Sequence, residues 1–349
     1  MNNRRIVGWL ATWLLLTALY AGWLRGLVVA AFDDTAPGWF MAVVNGLYPR
    51  FAVEKHRFEL SFFLRHADQI VIRFGLVNLA LVAFFIAKHK LPAFNRWWYR
   101  FWAVRESTTR IRVYTGAIYA CVLFFSYDWY WALARLYQAR DFYRPLLLLR
   151  WLHVPFPPLV VIAVLCSVLV ISSLLVIFRF QELLFTVLVA AVFTVLQAWI
   201  YSFEKLDHAF APLTYVLWLM PWLLHQTQYG QPQWALSLIR VVIATVYLQA
   251  GLEKLLIGGS EWLAPETFRN YLYLHPTATG LWVARYEWLC VLLPLLGLLF
   301  QLGFISIIFY PKLRRVLLPA GILFHTGTYV LMDVGGLVNA WVWLYVLFL

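Results

Sequence analysis

Ten stretches of the chain are apolar for long enough to act as structural units: 6–31, 69–87, 111–134, 158–178, 183–203, 209–225, 234–257, 286–310, 316–332 and 335–349. A helix crosses the hydrocarbon core of a bilayer with about 20 apolar residues, whereas a barrel strand needs about ten of alternating polarity. These runs are long and do not alternate, so they predict helices. The expected fold class is all-α, a polytopic integral membrane helical bundle of about ten transmembrane helices.

Composition agrees with that reading. The 349 residues are 63% hydrophobic and 13% charged, where a soluble domain is about half apolar and a quarter charged; the mean hydropathy is +0.75. The net charge of +12 could point to nucleic acid, but Lys and Arg lie in short stretches between apolar runs, where they act as topology signals and headgroup contacts. No nucleic-acid partner is expected; the partner is the lipid bilayer. Cys121, Cys166 and Cys290 fall inside apolar runs and read as small buried residues.

The first run follows Arg4 and Arg5 and is too long for a signal-peptide core, so it is expected to stay as a first membrane helix. The two densest basic clusters, 88–112 and 312–315, fall on one side of the ten-span topology, and most carboxylates fall on the other. That side is assigned to the cytoplasm, with the N-terminus. The segment Lys88–Arg112 also carries Trp97, Trp98, Tyr99, Phe101 and Trp102, the pattern of an amphipathic stretch in the interface. It divides the chain into an N-terminal part, 1–105, and a second transmembrane part, 106–349. No repeat of fixed period is found, and no pair of broken helices in corresponding halves, so a secondary transporter is not supported.

Candidate chemistry lies in ionisable residues inside the runs, because each is costly there. Arg25, Arg73 and Asp128 lie near run ends, where snorkelling is easy. Arg240 is deeper and needs a partner, either Glu287 or a backbone carbonyl. In Tyr247-Leu-Gln-Ala-Gly-Leu-Glu-Lys-Leu-Leu256, Glu253 and Lys254 end a helix. Desolvation penalises an ammonium, so a lysine held among apolar groups can serve as a neutral base; the alternative is a lysine that snorkels to the headgroups. His208, after Lys205-Leu-Asp207, opens a helix on the side where Lys254 ends its own, so the two could meet. His325 falls mid-span and must be hydrogen-bonded or metal-bound. No histidine sits at i+3 or i+4 from it, so a helix-borne metal site is not expected.

These segments together resemble the horizontally transferred transmembrane domain family, whose best known members are the vitamin K-dependent gamma-carboxylases. The resemblance runs from about Thr109 to Leu349. It rests on His208 after its polar turn, on the Tyr-x-x-Ala-Gly-x-x-Lys-Leu pattern at Tyr247, Ala250, Gly251, Lys254 and Leu255, and on Phe324-His325 ahead of a turn containing Gly335. In the carboxylases a Trp soon follows the lysine; here Leu256 to Ser260 lengthen the gap before Trp262. The resemblance implies a reduced, vitamin K-like quinone as cofactor. A neutral lysine deprotonates it, oxygen adds, and the strong base that results takes a proton from the substrate as the quinone becomes an epoxide. Lys254 would be the base and His208 its hydrogen-bond partner, with His325, Glu253, Tyr247 and Trp262 as the expected ligand-binding set. The wider family is mostly bacterial, which implies a bacterial inner (plasma) membrane. Peptide gamma-carboxylation itself is not expected, since the chain stops at Leu349 without the large soluble region with which carboxylases hold their peptide.

Two functions follow as expectations. One is a quinone- or lipid-dependent membrane enzyme with Lys254 on the outer side. The other is a non-catalytic membrane partner, or a maturation or transport subunit, for a secreted peptide or another membrane protein.

Overall fold

The computed structural model of the chain describes residues 3–48, 50–203, 210–335 and 340–349. Among the described residues nine long helices carry the architecture: α1 (Asn3–Phe32), α2 (Leu60–Lys90), α3 (Thr108–Gln138), α4 (Leu159–Ile177), α5 (Glu182–Ile200), α6 (Ala211–Gln228), α7 (Trp234–Glu253), α8 (Glu287–Gly303) and α9 (Arg314–Met332). No strand is found among the described residues. α4 illustrates why. Its sequence, rich in Val and Ile, would suit a strand in water, but a span in lipid must satisfy its backbone within itself, which the helix does. Its Ser173 is satisfied locally too: the Oγ donates to the Leu169 carbonyl at 2.7 Å.

Among the described residues, eight helices are long and apolar enough to cross a membrane, which makes this an integral multi-pass membrane protein. The expected ten is therefore corrected to eight, and both departures have physical reasons. The run 209–225 becomes α6, 18 residues long and about 27 Å at the α-helical rise. It ends in the polar sequence His225-Gln-Thr-Gln228 and packs between other helices, with Leu213, Val216, Leu217, Met220 and Leu223 all fully buried. The described residues of the run 335–349 form a short helix, Ala340–Leu344, and a 3-10 turn, Tyr345–Phe348. Its Trp341, Leu344, Leu347 and Phe348 are buried in the bundle instead of facing lipid.

The chain divides into two compact units, Met1–Phe101 and Trp102–Leu349. In the first, α1 packs along α2 over a core of Leu24, Ala31, Phe40, Phe51, Phe63, Ala67 and Val71. Arg25 forms a bidentate pair with Asp68 at 2.6 and 2.8 Å. Trp13 Nε1 donates to the carbonyl of Gly75 at 2.8 Å, where the missing side chain lets the helices approach. Val7, Leu14, Leu15 and Leu19 remain exposed, as a lipid-facing surface requires. The helix Pro92–Trp102 sets Phe94, Trp97, Trp98 and Phe101 at i, i+3, i+4 and i+7, one apolar stripe with basic residues around it.

In the second unit α3 packs on α4, α4 on α5, α5 on α6, α6 on α7 and α7 on α8, while the segment 340–348 contacts α3, α6, α7 and α9. Ser107 caps α3 by accepting from the amide of Arg110 at 3.3 Å. Next to that cap lies the partner of Arg240. Its Nε donates to the Leu347 carbonyl at 2.7 Å and its Nη2 to Glu106 Oε1 at 3.2 Å, so the backbone-carbonyl expectation is met and Glu106 stands where Glu287 was considered. Arg110 Nη1 holds the other oxygen of Glu106 at 2.9 Å. Burial pushes the Glu106 carboxyl up, but the hydrogen bonds and charges of Arg110 and Arg240 outweigh it and hold the group below its ordinary value.

Removing Glu106 leaves a buried guanidinium without its anion, so Glu106→Gln is expected to lower stability by about 3 kcal/mol. A carboxyl whose folded value is lowered stabilises the fold fully above its ordinary value of 4.5 and loses that contribution as pH falls through the lowered value. Thermal unfolding of parent and variant in detergent should therefore converge as pH falls below 4.5.

Candidate functional site

The buried face of α7 is set by Leu236, Ile239, Arg240, Ile243, Ala244, Tyr247 and Gly251, spaced three and four apart as one helical stripe. At Gly251 a Cβ would come within 2.8 Å of Leu302, so the glycine allows close packing of α7 on α8. One turn earlier, Tyr247 reaches the centre of the unit. Its hydroxyl lies 2.7 Å from His325 Nε2 and 2.6 Å from the hydroxyl of Tyr345. All three residues are buried, and their rings are walled by Phe300, Phe304 and Trp341. His325 lies parallel to Trp341 with centroids 6.2 Å apart. A mid-span imidazole needs a partner, and Tyr247 is that partner.

Lys254 stands two turns beyond Tyr247 on the same helix. There α7 widens into a π turn, Lys254–Gly258, followed by a 3-10 turn, Gly259–Leu263. Gly259 adopts φ +56°, a left-handed conformation that glycine takes without strain, and a Cβ at Gly258 would lie 3.1 Å from the Cβ of Trp262. The two glycines thus let the chain fold back on itself. Trp262 returns to the lysine, whose Nζ sits 4.9 Å from the centroid of its ring. The only hydrogen bond from Nζ to a described residue is a long one, 3.4 Å to the Ala250 carbonyl. Among the described residues no carboxylate lies within ion-pair reach of Lys254; the adjacent Glu253 accepts from Gln249 Nε2 at 3.4 Å. The indole Nε1 of Trp262 is buried and has no hydrogen-bond partner among the described residues.

No family model, curated protein or solved structure matches this chain. The site is therefore read from its own geometry.

The expected residues fall into two groups. Tyr247 and His325 come together with Tyr345, a residue that the sequence reading placed in a membrane span and did not single out. Lys254 and Trp262 form the second group, with Glu253 beside them. His208 lies outside the described residues. Tyr345 carries no local signal, because its meeting with Tyr247 spans 98 positions without a periodicity to link them. A polar tip in an otherwise apolar run, which must find a buried partner, was the only available cue. Among the described residues no group of three His, Cys, Asp or Glu side chains could hold a metal ion.

The Tyr345 ring rests on Gly321 of α9, with its Cζ 2.6 Å and its Cε2 2.8 Å from where a Cβ would stand. Gly321→Ala is expected to push the ring away, break the Tyr247–Tyr345 hydrogen bond and cost about 2 kcal/mol. Thermal unfolding of the variant beside Tyr345→Phe should show G321A the more destabilised, because it adds a clash to the lost bond.

Proposed function

We propose that this protein is a membrane enzyme of the horizontally transferred transmembrane domain type, in which Lys254 is the base and a quinone-like or lipid ligand lies against Lys254 and Trp262. The supporting observation, among the described residues, is a pair of under-used donors: the lysine Nζ, held by an aromatic face and a distant carbonyl, and the buried Nε1 of Trp262, which has no partner there. A buried donor left unsatisfied is costly, and the ligand that would relieve both is an apolar molecule bearing an oxygen acceptor. Residues around a π turn are often functional, because the wider turn displaces backbone and side chains from helical register.

A reduced quinone fits that donor set, and when bound it would supply an acidic hydroxyl and, with oxygen, oxidising power. The residues of this chain would do the rest. Lys254 Nζ takes a proton, Trp262 Nε1 donates to the ligand oxygen, and the indole face orients a ring against the lysine. In this reading the N-terminus is cytoplasmic, in a bacterial inner membrane, and the lysine lies at the outer face, because α6, though not among the eight, also runs the depth of the bundle with its end beside the start of α5. His208 is proposed as the hydrogen-bond partner of the lysine.

One observation favours the second reading, a non-catalytic partner of a secreted peptide or of another membrane protein. The Tyr247 hydroxyl is paired with His325 Nε2 and with the Tyr345 hydroxyl, and Arg240 is held by Glu106 and Leu347, as a scaffold requires. Epoxide formation from a naphthohydroquinone and oxygen distinguishes the two. Membranes containing the parent are expected to form epoxide, and Lys254→Met to reduce the rate at least about 100-fold with unchanged thermal unfolding. A folded parent that forms no epoxide overturns the enzyme reading.

A further inference from the structure

Far from Lys254 along α7, a second candidate site lies where α3 begins, α4 ends, α5 begins and α6 ends. The four helix ends leave a cleft of about 780 Å³, within the size range of small-ligand pockets. Its inner wall is apolar, with Ile111, Val176, Leu183 and Leu224, and two guanidiniums line it as well, those of Arg112 and Arg179. The combination of cations and an apolar wall is the chemistry of an anionic amphiphile.

The two arginines stand outside the Glu106 pairing that engages Arg110 and Arg240. Arg110 and Arg240 are committed to Glu106. The side chain of Arg112 makes no hydrogen bond or ion pair with a described residue. Arg179 uses only Nε, donating to Glu182 Oε1 at 2.9 Å, which leaves its two terminal nitrogens as free donors among the described residues. The single carboxylate of Glu182 does not balance two guanidiniums, so the cleft carries net positive charge.

The turn that presents Arg179 is strained. Arg179 adopts φ +67° and Gln181 φ +40°, left-handed conformations that cost a non-glycine residue on the order of 1 kcal/mol each. Such strain persists where surrounding structure enforces it and clusters at ligand clamps. Here it brings Arg179 and Gln181 to the same cleft as Arg112. The Gln181 side chain does not cap α5, so the first amides of that helix add donors at the same place.

We propose that this cleft binds a phosphate-bearing amphiphile, with Arg112 and Arg179 holding the phosphate and the apolar wall taking the start of the chains. The phosphate could come from a phospholipid headgroup or from free phosphate, and the test separates them. The full chain, purified in a neutral detergent, is titrated with dihexanoyl phosphatidylglycerol, dihexanoyl phosphatidylcholine and inorganic phosphate, and thermal unfolding is followed. The expected result is a saturable rise in melting temperature with phosphatidylglycerol at concentrations at least tenfold below those of the other two. Arg112→Gln and Arg179→Gln should each weaken that binding about tenfold or more, and Arg112→Lys should restore part of it. Inorganic phosphate acting as strongly as the lipid would keep the phosphate site and overturn the amphiphile. The site itself falls if no additive gives a saturable shift, or if phosphatidylglycerol binds folded R112Q and R179Q as it binds the parent.

Discussion

A polar group inside this bundle has no water to fall back on, and the second unit is arranged around the few places where such groups pair. Two of those pairs fasten the segment 340–348. The guanidinium of Arg240 takes the Leu347 carbonyl, and the hydroxyl of Tyr247 takes that of Tyr345. Both anchors belong to α7, seven residues apart and on one face. α7 therefore holds the central segment at two levels, while the same segment fills the space between α3, α6 and α9. Hydrophobic packing alone would not set the register of so short a piece; two directional bonds do.

The same helix carries Lys254, and the contrast along it has functional weight. Arg240 and Tyr247 each have acceptors supplied by the protein. At Lys254 and Trp262 donors outnumber acceptors. The open donors at this third level stand next to the only π turn among the described residues; the buried hydroxyls of Tyr114 and Tyr119 and the Nε of Arg314 also lack a described partner, but elsewhere in the unit.

The class of fold was legible because the bilayer permits little else: long apolar runs must be helices. The number of spans was not, since an apolar run is equally suited to lipid and to a protein interior. Hydropathy cannot tell the segment 340–348 from a lipid-facing helix such as α1, and it sets α6 apart only through the polar end His225-Gln-Thr-Gln228. At the site, the lysine motif marked Lys254 and Tyr247, and the cost of burial required partners for Arg240 and His325. What remained hidden was partner identity. In a continuous helix Trp262 would lie about 12 Å along the axis from Lys254, and it meets the lysine only because a π turn, two glycines and a 3-10 turn fold the chain back. Glu106, 134 positions from Arg240, offers no pattern that links the two.

The two anchors of the segment 340–348 also bear on the order in which the unit can be assembled. Residues 340–348 are synthesised after all nine long helices, yet they occupy the middle of the second unit. Each helix can enter the bilayer as it is made, but α3, α6, α7 and α9 cannot complete their packing until the segment 340–348 arrives. Until then Arg240 lacks its carbonyl and Tyr247 its phenol partner, over sequence separations of 107 and 98 residues. Closure over such distances is slow compared with local helix formation. The centre of the second unit can therefore close only after α9 has been made, once the segment 340–348 docks against α7.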